Sequence, residues 1–412
     1  MSAMGPVSIL ARFRDPQVLD FDFTQGEMPA GWTFTRGSLA TYIDGGALKT
    51  AAQNEPVFED GALRLEPQRT NYIQRNAGQD IMTWTTTRAI LREWGAFAGM
   101  TMRRWAATAG YNSHYVNSAT VPTGTIAVGT VLSGQVCVKA GGLSQCRVEM
   151  YLGTGYFHAL VDLTSGDIVG TGGDQGTGTV DVTRLADGVF RIRMNNVARV
   201  DGPTSSHMRV LAQTPDFQNS FDGNEVDGLW VGGAQIEIGP ECTSFIPNET
   251  AGAITRLRDI ALLTLDQPWG VNPGTLVADF TSNPRGVNVF ISLREGEAAA
   301  GNRIEIRRQV TEGRTATIVR NAAGGTEISN GSGYWPPGQE FNRAAFGWGI
   351  PDLKFVSGGA ITLASTRPLS AWTPANLREI MVPHSSNNYG RLRRIRLYRH
   401  LLSDSALEAI TA

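Results

Sequence analysis

The stretch Thr33–Ile73, TFTRGSLATYIDGGALKTAAQNEPVFEDGALRLEPQRTNYI, decides how the rest of the chain is read. Arg36, Ala40, Thr41 and Tyr42 lead into a turn at Asp44-Gly45-Gly46. The chain continues through Ala51, Asn54 and Pro56, and closes on Gly61, Leu63, Leu65, Glu66 and Thr70-Asn71. Short apolar and β-branched runs on either side of a polar, glycine-rich turn predict two short strands.

Composition carries this reading outward. With 48 glycines and 19 prolines among 412 residues, and with runs of Val, Ile, Thr and aromatics, the chain predicts many turns between strands. The length suffices for two or three domains with their own cores. A formal net charge of −2 gives no bulk attraction to nucleic acid or to an anionic membrane. Lys49, Lys139 and Lys354 are the only lysines; the other cations are arginines, whose forked head pairs carboxylates bidentately. Cys137, Cys146 and Cys242 have neither disulfide-framework nor metal-ligand spacing, and read as small buried apolar residues. The N-terminal MSAMGPVSILARFRDP has too short an apolar run for a signal peptide, and no stretch is long enough to span a bilayer. The expectation is synthesis in the cytoplasm without membrane insertion.

Alternation marks the strands. Val18 to Phe23 alternates apolar and acidic residues, after a Val7–Arg14 segment that reads as a short helix or arm. Leu132–Lys139 and Arg147–Leu152 alternate, and Phe190, Ile192 and Met194 share a face opposite Arg191 and Arg193. Leu163–Val169 is a hairpin around Thr-Ser-Gly-Asp, while Trp94–Val128 and the glycine-dense Gly170–Thr179 read as loops. Further on, Leu276–Phe280, Val287–Leu293, Ile304–Ile306, Thr315–Arg320, Ala344–Trp348 and Arg391–Arg399 keep strand rhythm. A terminal helix follows, with Ser403 as N-cap, Asp404 in its first turn, and Leu407 and Ile410 facing inward. The predicted fold is all-β: two tandem β-sandwich (jelly-roll) domains with an N-terminal attachment segment and a short C-terminal helix. The divisions are 1–73, 74–250 and 251–412.

The opening stretch resembles the lead-in of bacteriophage virion proteins (tail fibres, tailspikes and head-spike fibres), where R-x-S-x-A-T-Y and a later T-N precede a jelly roll. Leu229–Gly239 with Cys242–Pro247 resembles the closing strand of phage carbohydrate-binding-like jelly rolls, apart from an extra Gly after Val231 and Asn248 where Thr is usual. The terminal strand and helix resemble the end of concanavalin A-like, or laminin G-like, sandwiches. The resemblance implies a fibre or head/tail spike on a virion or a phage-like particle such as a gene transfer agent. It implies adhesion to host capsular polysaccharide or lipopolysaccharide without catalysis. It also implies a homo-oligomer, a trimer or a pentamer where a capsid vertex imposes it, held to other virion proteins through the N-terminal segment. The alternatives are a structural decoration or connector, and a capsule depolymerase.

Catalytic patterns are missing from the sequence. Glu237 and Asp279 stand alone in their strands, with no E-x-D-x-x-E pair of the kind sandwich glycosidases use. Asn330-Gly331-Ser332-Gly333 fails the nucleophile-elbow spacing, and His114, His158, His207, His384 and His400 are scattered. Sugar binding needs only ring faces with nearby amides. Two clusters offer these: Trp105, Tyr111, Asn112, His114, Tyr115 and Asn117; and Asn387, Asn388 and Tyr389, joined by Tyr334 and Trp335. The first cluster reads equally well as subunit packing, and the second reads as subunit packing before ligand binding. No cofactor is expected, though Asp216, Asp222 and Asp227, with Asn219 and Asn224, form an acidic loop of the kind that binds calcium.

Overall fold

The computed structural model describes residues 18–76, 84–121, 126–153, 155–174, 177–198, 205–269, 273–282, 288–296, 301–309, 314–320, 326–334, 341–349, 353–365, 377–383 and 390–412. Strand pairs are antiparallel, and Asp404–Thr411 is the single α-helix among the described residues, so the expected all-β fold with a short terminal helix is what the sequence forms. The chain makes two compact units: one from residues up to Gly37, Gln53–Gln68 and Leu257–Ala412, the other from Ser38–Ala52 and Arg69–Arg256. The lead-in expected as a separate segment over 1–73 is thus divided between them. Its strands complete sheets formed by distant parts of the chain. The Val7–Arg14 arm lies outside the described residues.

In the first unit, Val18–Asp22 and Ala62–Leu65 both pair with Gly390–Tyr398, so the beginning and end of the chain share a sheet. Trp32–Thr35 pairs with Ile260–Thr264 in the opposing sheet. Phe23, Leu63, Phe280, Ile304, Phe346, Phe355 and Ile395, all fully buried, fill the space between the sheets. The helix begins where Ser403 Oγ accepts the Ala406 N–H, and its Leu407 packs on Val277, Ala345 and Val356, with Ile410 beside them.

The second unit is a sandwich of two six-stranded sheets. One runs Thr179–Arg184, Val189–Ala198, Val131–Gly141, Gly228–Ile238, Met100–Ala107, Ala89–Phe97. The other runs Ile168–Gly173, Tyr156–Asp162, Gln145–Leu152, Ser206–Gln213, Tyr115–Asn117, Thr85–Thr87. Trp94–Val128 is therefore mostly strand, and Gly170–Gly173 extends an edge strand paired with Tyr156–Asp162. Both segments lack clean alternation, and tertiary pairing overrides their weak local preference. The extra glycine after Val231 has a structural cause. Register shifts between Gln135↔Gln235 and Cys137↔Gly232, so the Gly228–Ile238 strand carries one residue more, and Gly233 sits at φ +61°, as a bulge requires. All three cysteines are free and buried, as expected.

The hairpin Ala40–Asp44/Ala47–Ala51 turns on Gly45 and Gly46 at φ +56° and +78°. Its Ile43 and Leu48 cover Met100, Met102, Cys137 and Val189 on the outer side of the first of these two sheets. Leu48 N–H donates to Ala98 O, and Ala186 N–H to Gly46 O, at 2.8 Å each.

Candidate functional site

The second sheet of this unit faces outward differently. Its strands alternate strictly: Val148, Met150 and Leu152 are fully buried in the core, as are Ala159, Val161, Met208, Val210 and Val116. The intervening residues point to the other side of the sheet. Register then aligns a continuous row across all six strands: Gly172, His158, Glu149, Arg209, Asn117, Thr85. At the usual strand spacing this row is about 24 Å long. Beside it lie Tyr151 opposite both Tyr156 and His207, and Tyr115 opposite Leu211 and Thr87.

The row is held by charge and ring contacts. Glu149, 2% exposed, stands between two guanidiniums. Arg209 Nη1 donates to Oε2 at 3.2 Å. Arg147 Nε lies 2.8 Å from Oε1 in an ion pair, without an acceptor in line with its N–H. Arg209 Nε also donates to Asn117 Oδ1 at 2.8 Å, and Asn117 Nδ2 donates to Thr85 Oγ1 at 3.2 Å. The Arg209 guanidinium lies over Tyr115 at 4.5 Å and Tyr151 at 5.1 Å, and that of Arg147 over Tyr156 at 4.7 Å. Tyr151 stacks on His207 with centroids 4.8 Å apart, and Tyr156 tilts against His158 at 5.7 Å. The three tyrosines are half-buried, so rings fixed by cation–π and stacking contacts still offer surface.

Burial and the adjacent Arg147 push the His158 imidazole down to about 4, and burial with Arg209 does the same to His207. Both rings are neutral at pH 7. Burial raises the Glu149 carboxyl against the pull of Arg147 and Arg209. Gly172 stands opposite His158, and a Cβ there would lie 3.2 Å from Cε1.

The residues expected from sequence are divided by the fold. Tyr115 and Asn117 belong to this face. Tyr111, 69% exposed, and Asn112 stand on Gly110–Ser113, a ribbon paired with Ser220–Gly223. Trp105 is a correction: it is fully buried among the core side chains and offers no ring face to a ligand. Its segment is a strand, and alternation turns the indole inward. His114 is fully buried too. Its Nδ1 lies 2.6 Å from Arg88 O and its Nε2 3.1 Å from Phe221 O, so it pins backbone. Asn387, Asn388, Tyr389 and Trp335 lie outside the described residues. Among the described residues no three His, Cys, Asp or Glu side chains gather to hold a metal, so Asp216, Asp222 and Asp227 are not brought together as a calcium site. Asp227 instead accepts from Asn224 Nδ2 at 2.7 Å. Sequence reading missed Arg147, Glu149, Tyr151, Tyr156, His158, His207 and Arg209. Their signal was present as the polar half of alternating strands.

No family model matches the chain, and no curated protein does. Among solved structures it is similar to the CBM40 of Ruminococcus gnavus IT-sialidase bound to α2,3-sialyllactose (14% identity, 35% of this chain and 85% of that one, TM-score 0.30). It is also similar to domains LG4-5 of the mouse laminin α1 chain (12% identity, 71% and 89%, TM-score 0.24). A third likeness is Trypanosoma rangeli sialidase in complex with the inhibitor DANA (10% identity, 90% and 76%, TM-score 0.30). At these scores none of them decides the reading, which rests on the residues.

Proposed function

We propose that this chain is a non-catalytic carbohydrate-binding adhesion protein, mounted as a fibre or spike on a virion or phage-like particle. Its ligand is host capsular polysaccharide or lipopolysaccharide, and its binding surface is the outer face centred on Glu149. The observation that supports this most directly is the row His158–Glu149–Arg209–Asn117 flanked by Tyr115, Tyr151 and Tyr156. Fixed ring faces meet the C–H side of a pyranose, and the adjacent amide and guanidinium groups meet its hydroxyls. A face about 24 Å long accommodates several sugar rings. The apolar outer face of the partner sheet is covered by its own hairpin, whereas this one carries polar and aromatic groups. Glu149 is engaged by two arginines, an arrangement suited to rigidity and not to proton transfer. Weak single contacts become firm adhesion when a homo-oligomer, repeated over a particle, presents many copies.

Co-sedimentation of the purified chain with capsule and with lipopolysaccharide tests the reading. Binding of either, reduced by Tyr151→Ala in a protein that still folds, is the expected result. Absence of binding to both, while whole particles still adsorb, would refute adhesion. New reducing ends or unsaturated uronates in the incubated capsule would make the protein a depolymerase instead.

A further inference from the structure

We infer that the ligand of this face is an acidic saccharide, with a sugar carboxylate received by Arg147 and Arg209. This rests on the glycan-binding reading above and narrows its substrate class.

The argument begins with charge. Two guanidiniums face one carboxylate: Arg147 and Arg209 on either side of Glu149. Even with Glu149 fully ionised, the trio keeps one positive charge in excess. The neighbouring His158 and His207 do not neutralise it, since burial beside the arginines keeps both rings uncharged at pH 7. Neither guanidinium is a freely solvated surface cation: the Arg147 side chain is 11% exposed and that of Arg209 21%. A partly desolvated excess charge is costly unless a counter-charge completes it.

Geometry says where the counter-charge goes. Arg147 uses Nε toward Glu149, and among the described residues its two terminal nitrogens have no hydrogen-bond acceptor. Arg209 uses Nε on Asn117 and Nη1 on Glu149, which leaves Nη2 in the same condition. Both heads lie over tyrosine rings, so they are positioned before a ligand arrives. A planar carboxylate matches that fork with two charge-assisted hydrogen bonds, where a neutral hydroxyl accepts one weaker bond. A further polar group points to the same need: His207 is 8% exposed, and its Nε2 is buried without a partner. A sugar hydroxyl or carboxylate beside the Tyr151–His207 stack would supply one.

The carboxylate has two sources on a bacterial surface: uronic acids of a capsule, and acidic sugars of lipopolysaccharide. The shared chemistry is the proposal, and the test separates the sources. The full chain is titrated with polygalacturonate and with the same polymer after carboxyl reduction, at low and high salt. Purified capsule and lipopolysaccharide, each native and carboxyl-reduced, form the other arms. The expected result is an acidic form bound at least about tenfold more tightly, the worth of one charge-assisted hydrogen bond. That advantage shrinks with salt. Arg147→Gln, which leaves Arg209 to partner Glu149, abolishes most of the advantage, and Arg147→Lys, keeping the charge without the fork, retains part of it. Equal binding of acidic and reduced polymers, or an undiminished preference in an Arg147→Gln protein that melts normally, overturns the inference and leaves the adhesion reading standing. Failure to bind any of these glycans, acidic or neutral, overturns both. Whichever native arm loses affinity on reduction names the source.

Discussion

Thr243 holds Glu237 from both of its ends: the hydroxyl donates to Oε1 at 2.6 Å, and the backbone N–H donates to Oε2 at 2.8 Å. Two residues earlier, Gln235 takes the Ile246 N–H on Oε1 at 2.6 Å and donates from Nε2 to Ser244 O at 3.3 Å. Asn71 donates to Ile246 O at 2.9 Å and accepts from Ile73 N–H at 3.0 Å. The motif that suggested a phage-type jelly roll is thus a latch. Its polar residues fasten the segment 242–248 to the closing strand, and all of them are buried.

Glu237 makes that latch pH-dependent. Burial pushes its carboxyl up to about 7, against the hydrogen bonds from Thr243 and the pull of Arg69 and Arg256. Unfolded, it titrates near 4.5. Between these values the folded state holds the extra proton, so this group's contribution is complete below pH 4.5 and is lost as pH rises through 7. Glu237→Gln keeps hydrogen-bonding capacity without the titration. Urea midpoints from pH 5 to 8 should fall more steeply for the parent than for the variant; parallel curves would contradict this.

His207 contributes with the opposite sign. Its folded value of about 4 lies below the unfolded 6.5, so the unfolded chain takes the proton first. Stability falls as pH drops from 6.5 toward 4. His207→Phe preserves the stack on Tyr151 and removes the proton site. The variant should lose less stability than the parent between pH 7 and 4.5, measured by denaturant titration. Equal losses would place the acid sensitivity elsewhere.

How far the sequence reaches is visible on the Gln145–Leu152 strand. Alternation alone sends Val148, Met150 and Leu152 inward, and by the same rule Arg147, Glu149 and Tyr151 outward. What alternation lacks is register. Glu149 meets Arg209 across 60 positions, and nothing local announces it. Aromatic density drew attention to Trp105 and His114 instead, yet density does not separate a core ring from a surface one. The lead-in was legible as strands but not as shared property, because its partners, such as Gly390–Tyr398 and Ile260–Thr264, lie hundreds of residues away.

Arg36, from the same lead-in, anchors the first unit. It is 1% exposed, as is Asp259, and Nη1 lies 3.4 Å from Oδ1. Asp259 Oδ2 also accepts the Glu66 N–H at 2.8 Å, while Arg36 Nη2 donates to Glu55 O at 2.9 Å. Removing Asp259 takes one counter-charge away from a buried guanidinium. Asp259→Ala should therefore cost about 3–5 kcal/mol in chemical denaturation, with glycan binding unaffected at temperatures where the variant is folded. A loss under about 1 kcal/mol would be the value of an exposed pair and would show the site to be solvated.

Tyr151 and Trp105 separate face from core. Tyr151 is half-buried, with one side on His207 and Arg209 beside it. Trp105 is fully enclosed by the sandwich. Tyr151→Ala removes a ring face, so glycan affinity should fall several-fold, while the lost His207 stack, worth about 0.5–1.5 kcal/mol beyond its area, lowers the melting curve only modestly. Trp105→Ala opens a cavity that costs about 3–5 kcal/mol, and at low temperature the surviving folded fraction should bind with parental affinity. The reverse pattern, with affinity tracking Trp105 and indifferent to Tyr151, would move the ligand off this sheet altogether.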